Sequence, residues 1–213
     1  MPKTIMTRRN VLLAGITGLV AAPLVGGIAM ADAAAKVYID PGHGGSDSGA
    51  VGHGLQEKAL TLDISLRLRD LLNANGNVEV RMSRDTDIDR SLSYRTSDAN
   101  SWGAGFFISV HINSGGGTGF ESYRYTGTTG DTQRAQETIH PAVYGAMTGV
   151  GQTPDRGIKT ANFHVLRETA MPAVLTENLF IDRAEDAALL GNADFIAAVA
   201  QGHANGILSY LGV

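Results

Sequence analysis

The chain has 213 residues, of which 43% are hydrophobic and 18% charged, and its formal net charge is -4. That length fits one sizeable domain or at most two small ones, and the apolar fraction excludes a disordered chain. An acidic balance without a basic patch excludes phosphate-backbone binding, so no nucleic-acid partner is expected. The absence of cysteine removes disulfides, thiolate metal ligands, a Cys nucleophile and a lipidated cysteine, leaving His, Asp and Glu for any metal site.

Residues 1–31 read as a twin-arginine-type signal peptide. Thr7-Arg8-Arg9-Asn10-Val11-Leu12 carries the arginine pair, and an uncharged apolar stretch follows from Val11 to Met30. Ala29-Met30-Ala31 and Ala31-Asp32-Ala33 are both suitable cleavage sites. An uncleaved anchor is the alternative, since about 20 apolar residues just span a bilayer; Pro23 and the glycines of the stretch favour cleavage. Cleavage after Ala31 leaves 14 basic against 21 acidic residues, a mature charge of -7. The expectation is export by the twin-arginine route to the periplasm or exterior, with no membrane anchor once the signal is removed.

From Lys36 to Val213, short apolar runs alternate with longer amphipathic ones. This pattern predicts one α/β domain, a twisted, mostly parallel sheet of about six strands with helices on both faces. The candidate strands are Lys36 to Asp40, Val78 to Met82, Phe106 to His111, Gly119 to Tyr125, His164 to Arg167 and Ala173 to Glu177. Between the first two, Leu60, Ile64, Leu68, Leu71 and Leu72 recur at helical spacing over Gln56 to Ala74, with Gly76 as the stop. Further helices are predicted over Arg90 to Trp102, Asp131 to Met147 and Ala193 to Leu211. No repeat or linker is visible, and no appended module is expected.

In open α/β sheets, functional groups gather beyond the carboxyl ends of the strands. Three candidate strands end in residues suited to a metal: the first leads to His43, the third to His111, and the last to Glu177. Glu57, opening the helix after the first strand, returns to the same edge, where a helix N-terminus favours a carboxylate. A single His or Glu in such a place is more often structural; the coincidence of three strand ends carries the argument. Two imidazoles and a carboxylate form a recurrent catalytic zinc set with a fourth position open to water. Glu177 is then the candidate proton carrier, and Asp40, Asp47 and Asn113 are candidates for orienting the imidazoles.

Other polar residues are more ambiguous. Arg84, just past the second strand, suits either a substrate carboxylate or a salt bridge with Asp85 or Asp87. His164 neighbours a strand expected to border the cleft and is a candidate for touching substrate, and Arg167, like Arg84, suits either a substrate carboxylate or a salt bridge. His53 reads as exposed, His140 and His203 as structural or solvated. Gly115 to Gly119 lacks the Lys-Ser or Lys-Thr of a phosphate-binding loop and reads as a cleft rim.

Four separated segments, IDPGHGGSDSGAVGHGLQEKALTLDISLRLRDLL, SRDTD, ANSWGAGFFISVHINS and RGIKTANFHVLRETAMPAVLTENLFID, resemble in order the zinc-dependent N-acetylmuramoyl-L-alanine amidases of the type-3 family, which cut bacterial peptidoglycan. The likeness covers essentially the whole chain after the signal. It implies one zinc ion on His43, Glu57 and His111, Glu177 as the catalytic acid and base, and hydrolysis of the amide between the lactyl group of N-acetylmuramic acid and L-alanine. Two departures stand out. Many members have a Gly-Phe pair after the catalytic Glu, where this chain has Asn178-Leu179-Phe180, so a different pocket wall is expected. The interval from Thr126 to Asp155 holds one ordinary helix where some cell-division members carry a long autoinhibitory one, so an open site with no activator protein is expected. A monomer is also expected. The alternatives are a zinc peptidase cutting within the stem peptide, and a non-catalytic wall-binding relative, against which the retained Glu177 argues.

Overall fold

The protein is described from a computed structural model, which describes residues 1–2 and 34–213. The signal-peptide reading rests on residues 3–33, which lie outside the described residues. The chain runs through β1 (Ala35–Pro41), a small hairpin of β2 (Val51–Gly52) and β3 (Leu55–Gln56), α1 (Glu57–Asn75), β4 (Val78–Met82), α2 (Leu92–Trp102) and β5 (Phe106–Asn113). It continues through β6 (Phe120–Tyr125), α3 (Asp131–Thr148), β7 (Asp155–Ala161), α4 (His164–Arg167), β8 (Ala173–Phe180), α5 (Ala184–Leu190) and α6 (Ala193–Leu211).

The main sheet has six strands in the order β4-β1-β5-β8-β6-β7. β4, β1, β5 and β8 are mutually parallel, whereas β6 pairs antiparallel with β8 and parallel with β7. The carboxyl ends of β1, β5 and β8 therefore share an edge with the amino ends of β6 and β7. This places Glu121 and Arg156 at the edge where His111 and Glu177 lie.

Alternation along the central strands divides the interior in two. Val37, Ile39, Phe106 and Ile108 join Leu60, Ile64 and Leu68 of α1 and Phe195 and Val199 of α6 in one core. Tyr38, Phe107 and Leu175 point the other way, packing with Ala99 of α2 and Val165 and Leu166 of α4. Strands covered on both faces read as continuous apolar runs, which is why β1, β5 and β8 are plain in the sequence. In α1, residues spaced by four form the buried stripe, and Gly76 closes the helix at φ 79°, a left-handed conformation that suits glycine. Ser91 caps α2 by accepting from the Tyr94 N–H, and Asn192 caps α6 in the same way from Asp194 and Phe195.

One strand assignment is corrected. Residues His164–Arg167 form a single helical turn, α4, whose Val165 and Leu166 are buried. The sixth strand is β7, which occupies the sheet edge and has no fully buried residue. An edge strand with one partner and open faces carries no apolar run, so a search for such runs passes over it.

Candidate metal centre

The turn after β1 brings the first candidate ligand into place. His43 adopts φ 61°, in the left-handed region that disfavours side chains, and its backbone is held from beneath by two arginines. Arg95 donates to the carbonyls of Pro41 (2.7 Å) and His43 (2.8 Å), and Arg84 to those of Pro41 (3.1 Å) and Gly42 (2.8 Å). Arg95 is itself fixed by the buried Asp40 at 2.6 Å. The other end of the turn is tied to the loop after β4: Asp87 accepts from the Gly45 N–H, and Asp89 from the Ser46 N–H.

Three side chains then converge. Glu57 Oε1 lies 3.1 Å from His43 Nε2 and 3.0 Å from His111 Nδ1, and one ligand atom from each residue fits within a 4.8 Å cluster. Glu57 opens α1, and its carboxylate is steadied by the N–H groups of Ala50 (2.8 Å) and Ile112 (3.0 Å). His43 Nδ1 donates to Asp47 at 2.8 Å, which turns Nε2 toward the cluster. The turn passes too close for side chains: a Cβ at Gly42 would stand 2.4 Å from the His111 ring, and one at Gly49 2.5 Å from Glu57.

The charges suit a cation at this focus. Burial alone would lower the His43 pKa, but the carboxylates of Glu57 and Asp47 raise it to about 9. Burial likewise opposes the His111 imidazolium, yet Glu57 and the charge of Glu177 shift its pKa upward. Burial would raise Glu57, but the two imidazoles hold it well below the usual carboxylate range. Two nitrogen donors and a deeply ionised oxygen donor match the chemistry of a zinc site.

Glu177 sits beside this cluster on β8, in register with His111 of β5 on one side and Glu121 of β6 on the other. Its Oε2 is buried and has no hydrogen-bond partner among the described residues. Burial pushes its pKa up to about 7, with the His111 charge opposing and those of Glu57 and Glu121 reinforcing the rise. A carboxyl poised near neutrality can both accept and release a proton. A cleft of about 500 Å³ opens over His43, His111 and Glu177, with Leu92 of α2, Phe163 just before α4 and His164 at its start on the walls.

The remaining expectations divide. His164 lines the cleft, with its Nε2 buried and unpartnered among the described residues. Asp47 accepts from His43 Nδ1 at 2.8 Å, whereas Asp40 contacts no imidazole: its oxygens accept from Ser83, Arg95 and Ser109. Asn113 donates to Glu121 at 2.8 Å and takes no part in the His cluster. Arg84 is 2% exposed, with its guanidinium used on backbone carbonyls and Thr61, so it meets neither substrate nor Asp85 or Asp87. Arg167 is exposed on α4, bonded to Asn162 and Glu168 and outside the cleft walls. Leu179, where the Gly-Phe pattern is broken, is fully buried at φ 71°. Sequence reasoning missed Arg95, Asp87 and Asp89; the density of charge between Arg84 and Arg95 was the available signal.

A His-Glu-His cluster able to hold a metal ion, beside a buried carboxyl shifted toward neutrality at the edge of an open α/β sheet, is an arrangement suited to hydrolysis. A family profile described as N-acetylmuramoyl-L-alanine amidase matches residues 37–209. A sporulation-specific N-acetylmuramoyl-L-alanine amidase of Bacillus subtilis (strain 168) is 57% identical over 173 residues, covering 81% of this chain and 66% of the relative. The endolysin of Bacillus phage SPP1 is 46% identical over 178 residues, covering 82% of this chain and 65% of the endolysin. The catalytic domain of CwlV, an N-acetylmuramoyl-L-alanine amidase from Bacillus (Paenibacillus) polymyxa var. colistinus, superposes with a TM-score of 0.79 at 38% identity, covering 84% of this chain and 99% of that domain. The chain belongs to the type-3 N-acetylmuramoyl-L-alanine amidase family. It spans about two thirds of the length of these two curated relatives.

Proposed function

We propose that this protein is an exported, zinc-dependent amidase that hydrolyses the bond between the lactyl group of N-acetylmuramic acid and the L-alanine of the peptidoglycan stem peptide. The observation that carries the reading is the convergence of His43, Glu57 and His111 beside a Glu177 carboxyl shifted toward neutrality. The substrate assignment is supported by the names of the relatives.

His43, Glu57 and His111 would hold one zinc ion. When bound, zinc supplies Lewis acidity, polarising the scissile carbonyl and acidifying water from a pKa of 15.7 to about 7. Asp47 fixes the His43 ring, and the Ala50 and Ile112 N–H groups fix Glu57, so the ligands need little rearrangement to bind it. Glu177 takes the proton of the attacking water on its carboxylate and returns it to the leaving nitrogen of L-alanine, which makes that amine a good leaving group. No side chain of the site needs to form a covalent intermediate.

The working form is a monomer that needs no activator protein. In support, α3, the only helix between β6 and β7, packs on α6 at the face opposite the cleft-lining α2 and α4. Among the described residues no helix is long and apolar enough to cross a membrane, and export by the twin-arginine route follows from Arg8 and Arg9. Mass spectrometry of digested muropeptides tests the reaction. Free intact stem peptides and peptide-free glycan are expected; peptides shortened from within would replace the amidase by the peptidase reading.

A further inference from the structure

Next to Glu177 lies a charged cluster that the hydrolytic step does not use. Glu121, in register with Glu177 across the β6–β8 pair, is 2% exposed. Its carboxylate accepts from Arg156 Nε and Tyr123 Oη at 2.7 Å, from Asn113 Nδ2 at 2.8 Å, and from Lys159 Nζ. One buried anion thus holds two cations of the edge strand β7 and leaves one positive charge in excess. Both cationic side chains stay 35% exposed. The remaining Arg156 donors reach only the Thr118 carbonyl, at 3.4 Å, and Lys159 has no second acceptor among the described residues. Burying a carboxylate to anchor two open cations is an expensive way merely to pin an edge strand, but it is what a preorganised anion clamp requires.

The position of the pair relative to the reaction fixes which part of the substrate it meets. Glu177 must face the leaving nitrogen, so the peptide half of the substrate departs on the β8 side, toward β6 and β7. Two strand spacings separate β8 from β7, about 10 Å. Two extended residues span about 7 Å, and an Arg or Lys side chain covers the rest. The path is flanked by aromatic surface: Phe163 packs against Tyr123 at 5.2 Å between centroids, and Arg156 lies over Phe180 at 4.8 Å.

We infer that Arg156 and Lys159, held by Glu121, form an anion subsite that binds a free carboxylate on the second residue of the peptide. This rests on the amidase reading and on the role of Glu177 in it. The subsite makes the enzyme discriminate between stem peptides whose second residue carries a carboxylate and those in which it is a carboxamide. Glu121 and Asn113 are positioning residues, and Arg156 and Lys159 make the contact.

The test uses the full chain and two soluble N-acetylmuramoyl peptides that differ only in carboxylate or carboxamide at the second residue. The wild type is expected to favour the carboxylate by about tenfold in kcat/KM, as charge-assisted hydrogen bonds allow. Arg156→Gln and Lys159→Gln, each leaving Glu121 one cation, are expected to shrink that ratio. Glu121→Gln leaves both cations without their internal partner and is expected to widen it, an outcome that a purely structural clip does not produce. A wild-type ratio near one, or ratios unchanged in all three variants, overturns the subsite. Product masses separate the two claims: cleavage at the lactyl amide with a ratio of one removes the subsite and keeps the amidase, whereas absence of that cleavage in both peptides removes both.

Discussion

Arg95 shows how a residue outside the candidate ligand set can govern it. Its guanidinium bridges Asp40 and the carbonyls of Pro41 and His43, so the strained turn bearing His43 depends on a buried ion pair. Burial disfavours the Asp40 carboxylate, but Arg95 and Ser83 outweigh that and hold its pKa below the usual range. Arg95→Met strands that carboxylate, at a cost of about 3–5 kcal/mol. The variant should unfold at lower urea, and its zinc affinity, read by competition with a chromophoric chelator, should fall about 10- to 100-fold. An unchanged affinity would show that the turn holds itself. At Glu177 the sign is opposite. Its folded pKa of about 7 exceeds the ordinary 4.5, so the unfolded chain releases this proton first, and stability is lost as pH rises through that window. Metal-free Glu177→Gln should therefore melt with the wild type at pH 4 and above it at pH 8; coincident melts at both would contradict the shifted pKa.

At the scale of elements, the helix pair α3 and α6 depends on missing side chains. A Cβ at Gly202 would stand 2.7 Å from Val143 Cα, and one at Gly206 2.8 Å from Ile139 Cα. Gly206→Ala should destabilise the fold by about 1–3 kcal/mol through overpacking, despite the better helix propensity of alanine; a denaturation midpoint at or above that of the wild type would refute the close packing. Elements buried on both sides were legible: β1, β5 and β8 as apolar runs, α1 and α6 as stripes, Gly76 as a stop. The site residues at their ends were legible for the same reason, because three strand termini with His43, His111 and Glu177 share one edge. Less was visible where burial is partial or partners are remote. β7 has no buried residue to mark it, and α4 is a single turn whose apolar pair mimics a strand. The partners of Arg84 and Arg95 include backbone carbonyls and, for Arg95, the Asp40 carboxylate, some forty to fifty-five residues away, so both arginines resemble surface charges until the chain is folded.

For the molecule as a whole, one sheet edge gathers the chemistry, and the two strand directions give it two kinds of group. Parallel strands end there in His43, His111 and Glu177, while the reversed pair β6 and β7 begins there with Glu121 and Arg156. The candidate metal cluster, the neutral-range carboxyl of Glu177 and the cationic rim consequently follow one another across the sheet. In the proposed mechanism the first two are separable: His43, Glu57 and His111 would hold the metal, and Glu177 would move the proton without being needed for binding. The most direct measurement is zinc content together with muropeptide release for the wild type and Glu177→Gln. One zinc per chain is expected in both proteins, with release reduced at least about 100-fold in the variant, the scale of a lost general acid–base. Full release by Glu177→Gln, or loss of its zinc, would contradict this mechanism.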